Sequence, residues 1–204
     1  MRKSLLLIAS LLVLILTGFM WQTVSAYKVN RTSAQYGSKM MRWSSKKMTY
    51  KVNLKGAPAN ALSAIKAAAA AWTNVTSCPF KFVYGGKSTS TNHTSNDGIN
   101  LVNFANMGST SVLAQNLYFY YPSTGYMAES NIQFNTYYKW STNLASGTYD
   151  VRNVGTHEFG HSLSLADLYG SADKQKTMYG YCSKQETKKR SLSSDDISGI
   201  RYLY

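Results

Sequence analysis

Runs of apolar residues at two different spacings divide the chain into predicted strands and helices. Residues 48–53 alternate between apolar and polar side chains, which predicts a half-buried strand. Residues 60–72 are rich in alanine and place apolar residues at helical spacing, which predicts an amphipathic helix. Further short runs of β-forming residues predict strands over 80–84, 99–104, 112–121 and 131–135.

Two more helices are predicted towards the end of the chain. Thr148 or Asp150 can cap a helix that contains His157 and His161. A last helix begins within residues 193–196, where acidic groups lie at its positive end. We therefore expect an α+β domain of about five strands and three helices.

The polar stretches between these elements predict loops. We expect Gly85 and Gly86 to end the second strand, and residues 87–97, rich in Ser, Thr and Asn, to form an exposed loop. His93 lies in that loop and is expected to be solvated. Residues 27–41 are polar without a clear period, so we expect a mobile N-terminal segment there.

Residues 1–26 have the three parts of a secretory leader. Arg2 and Lys3 give a positive start, residues 5–20 are apolar, and Val24-Ser25-Ala26 is a small-residue cleavage site. The apolar run is short for a membrane span and no charged stop-transfer patch follows at once, which favours cleavage over a retained anchor. We therefore expect a signal peptide and an extracellular protein, either free or associated with the cell wall.

The charge balance of the chain is strongly basic. Its 204 residues include 22 Lys and Arg against 9 Asp and Glu, a net charge of +13 at pH 7. Without Arg2 and Lys3 the net charge is about +11. Such a surface attracts polyanions, for example anionic cell-wall polymers, although the same charge can serve solubility alone. The sequence contains no recognisable nucleic-acid-binding module, so we expect no nucleic-acid partner.

Cys78 and Cys182 are the two cysteines of the sequence. In an oxidising compartment they are candidates for a disulfide. The spacing does not show whether their Cα atoms come within bonding reach, so a disulfide and two free thiols both stay open.

The clearest chemical signal is the sequence His157-Glu158-Phe159-Gly160-His161. Positions i and i+4 of a helix lie on one face, so His157 and His161 can offer two imidazole nitrogens to one metal ion. Glu158 projects beside them, within reach of a proton on a metal-bound water. An ordinary polar helix face is the other explanation for such a pattern.

From about residue 42 to residue 204 the chain resembles the metzincins, and within them the catalytic domain of the matrixins. The matching stretches are Trp43, Thr49-Tyr50, Ala70-Ala71-Trp72, Val112-Leu113-Ala114, residues 132–135, residues 154–163, Met178-Tyr179 and residues 192–200. The resemblance implies a zincin-like twisted mixed sheet and a catalytic domain over 42–204, preceded by a segment at 27–41.

The resemblance also implies one catalytic Zn²⁺ held by His157 and His161, with Glu158 as the general base. The family motif continues with a glycine and a third histidine, where this chain has Ser164 and Asp167. Aspartate is the third ligand in the snapalysins, and a carboxylate oxygen is a sound zinc ligand. Asp167 is therefore the implied third ligand, and Ser164 must adopt the left-handed turn that glycine reaches more easily.

Further roles follow from the same resemblance. Met178 corresponds to the methionine of the turn beneath the metal. The residues implied in substrate binding are Leu113, Ala114, Gln115, Tyr179 and Tyr181. The positions at which matrixins tend to place structural-metal ligands are Asn131, Gln133, Asn135 and Tyr138. Amides and a phenol are poor substitutes for carboxylates and imidazoles, so we expect no structural calcium.

These observations predict a secreted zinc endopeptidase that acts on protein or peptide substrates as a monomer. The alternative is a catalytically weak or inactive metzincin scaffold that serves as a secreted or cell-surface binding module. Ser164 and the basic surface motivate that alternative. Zinc content and casein clearing, with and without a chelator, would separate the two.

Overall fold

A five-stranded mixed sheet is the framework of the chain in the computed structural model, which describes residues 27–204. The expected leader at 1–26 lies outside the described residues. The strands of the sheet are β1 (Lys47–Val52), β2 (Lys81–Lys87), β3 (Asn100–Ala105), β4 (Ala114–Tyr120) and β5 (Met127–Asn135). A two-stranded ribbon joins β6 (Trp140–Ser141) to β7 (Tyr149–Asp150). The helices are α1 (Ala61–Thr73), α2 (Val151–Ser162) and α3 (Ser194–Leu203).

The strand order is β2-β1-β3-β5-β4. The first four of these strands run parallel to their neighbours, and β4 pairs antiparallel with β5 at the edge of the sheet. The predicted α+β class, with about five strands and three helices, is confirmed. Because β4 is an edge strand, its outer backbone groups face away from the sheet and are free to pair with another extended chain.

The hydrophobic core lies where α1 and α2 pack together against the sheet. Trp72 of α1 is fully buried, and its indole N–H donates to the carbonyl oxygen of Thr156 on α2 (2.8 Å). Phe159 of α2 packs edge-on to Tyr50 of β1 and against Phe82 of β2. A helix that carries several polar residues is thus held by its apolar face, which fixes the position of its histidines relative to the sheet.

Gly85 and Gly86 do not end the second strand as expected. The strand continues to Lys87, and the glycine pair forms an irregularity at which the register with β1 shifts between Tyr50 and Val52. Gly86 has φ = +106°, a conformation that glycine adopts without strain. The extra residue is accommodated as a bulge, which interrupts the pairing without stopping it.

The prediction of a mobile segment at 27–41 is wrong in this structure. Val29 forms an antiparallel bridge with Leu165, and the Asn30 N–H donates to the Ser164 carbonyl (2.8 Å). The segment then turns through a short 3₁₀ helix (Ala34–Tyr36) and returns to pair with itself before β1. The sequence pattern gave no period because the segment forms isolated bridges rather than a regular strand.

The loop that contains His93 is also held more tightly than expected. Both ring nitrogens of His93 contact glutamine side chains, Nε2 with Gln115 (3.1 Å) and Nδ1 with Gln133 (3.0 Å). The Asn131 amide donates to the His93 carbonyl oxygen and to the buried carboxylate of Glu129. His93 is therefore half-buried and docked on the sheet, whereas we expected a solvated side chain. The prediction that these amide positions hold no structural calcium stays a prediction.

Within residues 27–204, no helix is long and apolar enough to cross a membrane.

Candidate active site

The helix that carries the histidines begins at Asp150. The Asp150 carboxylate accepts the Asn153 N–H (2.7 Å), which is the N-cap that the sequence offered as one of two choices. The same carboxylate receives two hydrogen bonds from Arg190, at 2.9 and 2.7 Å. Asp150 is almost fully buried, so this charge is paired and capped rather than solvated.

Three potential ligand atoms converge at the other end of α2. His157 Nε2 and Asp167 Oδ1 are 3.1 Å apart, His161 Nε2 and Asp167 Oδ1 are 3.4 Å apart, and the two imidazole Nε2 atoms are 3.2 Å apart. Ligands around a tetrahedral zinc with bonds of about 2.0–2.1 Å are separated by about 3.3 Å. The three atoms therefore already have the mutual spacing that a zinc ion requires.

Each imidazole is oriented by its second nitrogen. His157 Nδ1 lies 2.8 Å from the carbonyl oxygen of Thr177, and His161 Nδ1 lies 2.8 Å from that of Leu165. A carbonyl can only accept, so the proton of each neutral ring lies on Nδ1 and the Nε2 lone pair is directed towards the other two ligand atoms. Backbone oxygens thus select the tautomer that binds a metal.

Asp167 is brought back to the histidines by a sharp turn after α2. Ser164 has φ = +76°, so it adopts the left-handed conformation that the family's glycine implied. The Leu165 N–H donates to Gly160 (3.0 Å) and the Ser164 N–H to His161 (2.8 Å), the two hydrogen bonds of a Schellman motif. The Ser164 side chain is fully buried, and its hydroxyl has no hydrogen-bond partner among the described residues. The serine therefore reaches the required turn at some cost in strain and desolvation.

The electrostatics of the cluster favour an ionised Asp167. Burial alone would raise the pKa of Asp167, but the imidazoles of His157 and His161 beside it outweigh burial and hold the pKa of that carboxyl well below its ordinary value. Burial also lowers the pKa of His161, yet the hydrogen bond to Asp167 and the nearby carboxylate of Glu158 raise it overall. A carboxylate ligand must be deprotonated to bind a metal, and Asp167 meets that condition.

Met178 lies directly beneath α2, the helix that carries His157 and His161. Its thioether is buried so close to Gly160 that a Cβ built on this glycine would lie 2.2 Å from the sulfur. The turn that carries Met178 is fixed by Asp196 of α3, whose carboxylate accepts the Thr177 N–H (3.0 Å) and lies near the Met178 N–H (3.4 Å). The start of α3 therefore fixes the position of Met178 relative to α2.

Glu158 lies beside the potential ligands, and one oxygen of its carboxylate has no hydrogen bond within the described residues. The residue is buried, and its Oε2 atom has no hydrogen-bond partner among the described residues. Its backbone carbonyl accepts a hydrogen bond from the Asn116 amide of β4 (2.9 Å). A buried carboxylate oxygen left without a partner next to a metal site is able to accept a proton from water.

A family model described as Matrixin matches residues 42–204. The chain belongs to the matrixin family. The family's zinc fits the donor set of this chain, which is two imidazole nitrogens and one carboxylate oxygen at tetrahedral spacing.

Curated relatives match this matrixin over alignments of different length. Matrix metalloproteinase-18 of Xenopus laevis is 30% identical over 177 residues, which is 82% of this chain and 34% of that protein. Human neutrophil collagenase is 44% identical over 59 residues, 29% of this chain and 12% of that protein. The hatching enzyme of Paracentrotus lividus is 43% identical over 65 residues, 32% of this chain and 10% of that protein. The chain thus spans about a third or less of the length of these relatives.

Among solved structures, that of myroilysin has a TM-score of 0.44 and 16% identity with this matrixin, over 80% of this chain and 95% of that chain.

A cleft of about 920 Å³ runs past the three ligand atoms of the matrixin. One wall is the start of β4, where Leu113, Ala114 and Gln115 line it as the resemblance implied. Tyr181 lines the opposite wall. Tyr179 does not line the cleft, because its ring packs behind that of Tyr181 at 5.6 Å and under the ammonium of Lys188. Tyr179 therefore supports the wall rather than forming it.

Several lining residues were not predicted from the sequence. Asn30, Tyr169, Cys182 and Lys189 all line the cleft. The Tyr169 hydroxyl donates to Asp167 Oδ2 (3.1 Å), which leaves Oδ1 facing the histidines. The spacing of Tyr169 only two residues after Asp167 was a usable signal. Asn30 and Lys189 reach the site through tertiary contacts that no local pattern reveals.

The candidate disulfide does not form in this structure. Cys78 and Cys182 are both free thiols. Cys78 is buried in the core just beyond α1, whereas Cys182 lies in the cleft beside Asn153 of α2 (3.4 Å from its amide nitrogen). Burial raises the pKa of the Cys182 thiol to about 12, so it stays protonated. The two cysteines thus have different surroundings in this structure.

Proposed function

We propose that this matrixin is a zinc-dependent endopeptidase in which Glu158 is the general base. The observation that carries the proposal is the buried, unpartnered carboxylate oxygen of Glu158 beside three ligand atoms at zinc spacing. Zinc, held by His157, His161 and Asp167, would polarise the scissile carbonyl and increase the acidity of the attacking water. Glu158 removes a proton from that water and delivers it to the leaving amine.

In this proposal the edge strand β4 binds the substrate. A peptide lying antiparallel or parallel to Ala114 and Gln115 can pair with the free outer edge of β4. Main-chain pairing of this kind would fix the position of the scissile bond relative to α2, and it does not depend on the side chains of the substrate. Residues 111–116 and Tyr118 line the cleft on both sides of Ala114 and Gln115, which supports cleavage within a chain rather than only at its ends.

The test measures zinc content and peptide cleavage together. Purified protein should contain one zinc per chain and should cleave casein or a quenched fluorescent peptide, and a chelator should abolish the cleavage. Glu158→Gln should keep the zinc and the fold but lose about 10²–10⁴-fold in kcat, because an amide cannot accept the proton. Near wild-type turnover by this variant would show that another group is the base. Absence of stoichiometric zinc in the wild type would reject the ligand set.

The inactive-scaffold alternative rests on Ser164 and on the basic surface. Ser164 has the φ of +76° that the turn towards Asp167 requires, which supports the peptidase over that alternative. Protein that binds zinc but cleaves no peptide would still favour it.

We also propose that the protein is secreted and that its basic surface, with a net charge of +13 in the full sequence, retains it on anionic polymers. Retention on a heparin or teichoic-acid column should weaken steeply with salt, since such attraction is screened over about 8 Å at physiological ionic strength. Elution in the void volume at low salt would end this part of the proposal.

A further inference from the structure

Lys189 is a buried lysine that lines the cleft. It belongs to a short 3₁₀ helix (Lys188–Arg190), and its exposed fraction is 2%. Its backbone N–H donates to the Asn153 side chain (2.8 Å), and Asn153 precedes His157 by one turn of α2. The position of Lys189 is therefore fixed relative to the helix that carries the metal ligands.

The ammonium group of Lys189 is only partly satisfied. It donates to the carbonyl oxygens of Tyr179 and Tyr181, the latter at 2.8 Å. An ammonium has three N–H donors, and the third has no acceptor among the described residues. Both of its partners are neutral, so no carboxylate hydrogen-bonds to this buried charge. A buried charge to which no carboxylate hydrogen-bonds is costly, and a carboxylate that bound the free donor would offset that cost.

The acidic side chain whose charge acts most strongly on Lys189, that of Glu186, is engaged elsewhere. Glu186 accepts hydrogen bonds from the Asn153 amide and the Ser183 N–H (both 3.3 Å), and it pairs with Lys188 at 3.4 Å. It does not line the cleft. Glu186 therefore lowers the local potential around Lys189 without occupying its free donor.

Most of the cleft around Lys189 is uncharged, with Tyr181, Cys182 and the neighbouring Tyr149 as lining residues. The Glu158 carboxylate also lines the cleft and acts on Lys189 through its charge, without a hydrogen bond to the ammonium. The guanidinium of Arg190, the next residue, is paired with the Asp150 carboxylate. Among residues 27–204, Lys189 is the one lysine or arginine that lines the cleft. A carboxylate that entered this part of the cleft would meet a single preformed cationic donor with little water around it, and such hydrogen bonds are strong.

We propose that Lys189 is a specificity-determining residue that binds a carboxylate of the substrate in the part of the cleft between Tyr149 and Tyr181. The inference rests on the proposed peptidase function and names the substrate class for that site, which is peptides with a carboxylate at one defined position. The carboxylate belongs either to an Asp or Glu side chain or to the C-terminus of a peptide. Both sources present the same chemistry to the ammonium.

The experiment compares Glu with Gln at each position around the cleavage site. Each peptide is prepared with a free and with an amidated C-terminus, and kcat and KM are measured separately. We expect wild-type protein to prefer Glu over Gln at one position by about 10–100-fold in kcat/KM. A preference that persists in amidated peptides identifies the side chain as the source. A preference seen only with free termini identifies the terminal carboxylate.

Lys189→Met is the test variant and Lys188→Met is its matched control. Methionine keeps the length of the side chain but removes the charge, and Lys188 is the half-buried neighbour that does not line the cleft. Lys189→Met should lose the Glu preference while still cleaving the Gln peptides, and Lys188→Met should keep it. A Glu preference that survives in folded Lys189→Met, or no preference in the wild type, would overturn the inference.

A binding measurement keeps this test separate from the test of catalysis. Fluorescence anisotropy of the same peptides on Glu158→Gln protein does not require turnover. Tighter binding of the Glu peptides that disappears in the Glu158→Gln, Lys189→Met double variant would support the inference even if the wild type cleaves nothing. Equal binding of Glu and Gln peptides would reject it, including the case in which Lys189→Met does not fold.

Discussion

The two ends of α2 are held in different ways. At its N-terminal end, charged and polar side chains hold the helix, with Asp150 bound to Arg190 and Asn153 bound to the Lys189 backbone. At its C-terminal end, backbone hydrogen bonds close the Schellman turn at Ser164, and the backbone of Asn30 pairs with that turn. The neutral side chains of Trp43 and Asn116 add hydrogen bonds to Ser162. The end that carries the ligands is thus held by main-chain groups and neutral side chains, which leaves the His161 and Asp167 side chains available for a metal.

The difference shows how one helix can serve both structure and chemistry. Side-chain ion pairs give strong local anchoring, but they use up the charged groups that make them. Main-chain hydrogen bonds use groups that every residue has and leave the side chains free. We therefore expect substitutions at the first end to change mainly stability, and substitutions at the second end to change mainly zinc binding.

Asp150→Ala should have the largest effect on stability. It removes the N-cap of α2 and leaves the Arg190 guanidinium without its carboxylate, and together these should lower the free energy of unfolding by about 3 kcal/mol. Urea denaturation measures this loss. Asp195→Ala is the matched control, because it removes an acidic partner of Lys176 near the surface and should cost at most about 1 kcal/mol. Equal losses in both variants would contradict the special role of the Asp150 end.

Gly160→Ala should damage the other end, and zinc affinity in particular. The added methyl group would lie 2.2 Å from the Met178 sulfur and 2.9 Å from the Trp72 ring, so the helix or the methionine turn must shift. We expect a loss of about 1–3 kcal/mol in stability and weaker zinc binding, measured by competition with a chromogenic chelator.

Gly155→Ala on the same helix is the control for Gly160→Ala. Its methyl group meets only the Ala68 methyl at 3.3 Å and the Phe134 ring at 3.5 Å, and it gains helix propensity. Unchanged zinc affinity in Gly160→Ala would show that the methionine turn does not set the position of the ligands.

Ser164→Gly should raise stability slightly. Glycine adopts φ = +76° without the strain that serine bears, and the change removes a buried hydroxyl without a partner. We expect a gain of about 1 kcal/mol with zinc affinity kept or improved. A fall in zinc affinity would mean that the serine hydroxyl supports the turn in a way that its surroundings do not suggest.

The smallest expected effect is a pH dependence of the protein stripped of metal by a chelator. The pKa of His161 is raised above its ordinary value of 6.5, since its hydrogen bond to Asp167 and the Glu158 charge outweigh burial. A raised pKa contributes stability that is fully present below about pH 6.5 and is lost as the pH rises through the folded-state pKa. Thermal unfolding between pH 6 and pH 8 should therefore show falling stability in the wild type, and a flatter profile in Asp167→Asn. Parallel profiles would contradict the pairing.

Local patterns predicted the parts of this site that are close in sequence. The i, i+4 histidines and Glu158 follow from the helix motif, the cap was limited to Thr148 or Asp150, and the family resemblance supplied Asp167 and Met178. Lys189 and Asn30 escaped prediction because their positions depend on contacts with α2 and the Ser164 turn. His93 escaped for the same reason, since its docking depends on two glutamines from neighbouring strands.

The joining of the Asn30 backbone to the Ser164 turn has a consequence for folding. The turn that presents Asp167 is completed by a segment from the start of the described chain, and the Met178 turn is completed by Asp196 near its end. Contacts between residues so far apart in sequence form late and slow the folding reaction. The complete set of ligand atoms therefore assembles only when both distant segments are in place, so zinc uptake during refolding should report a late step of the process rather than an early helix.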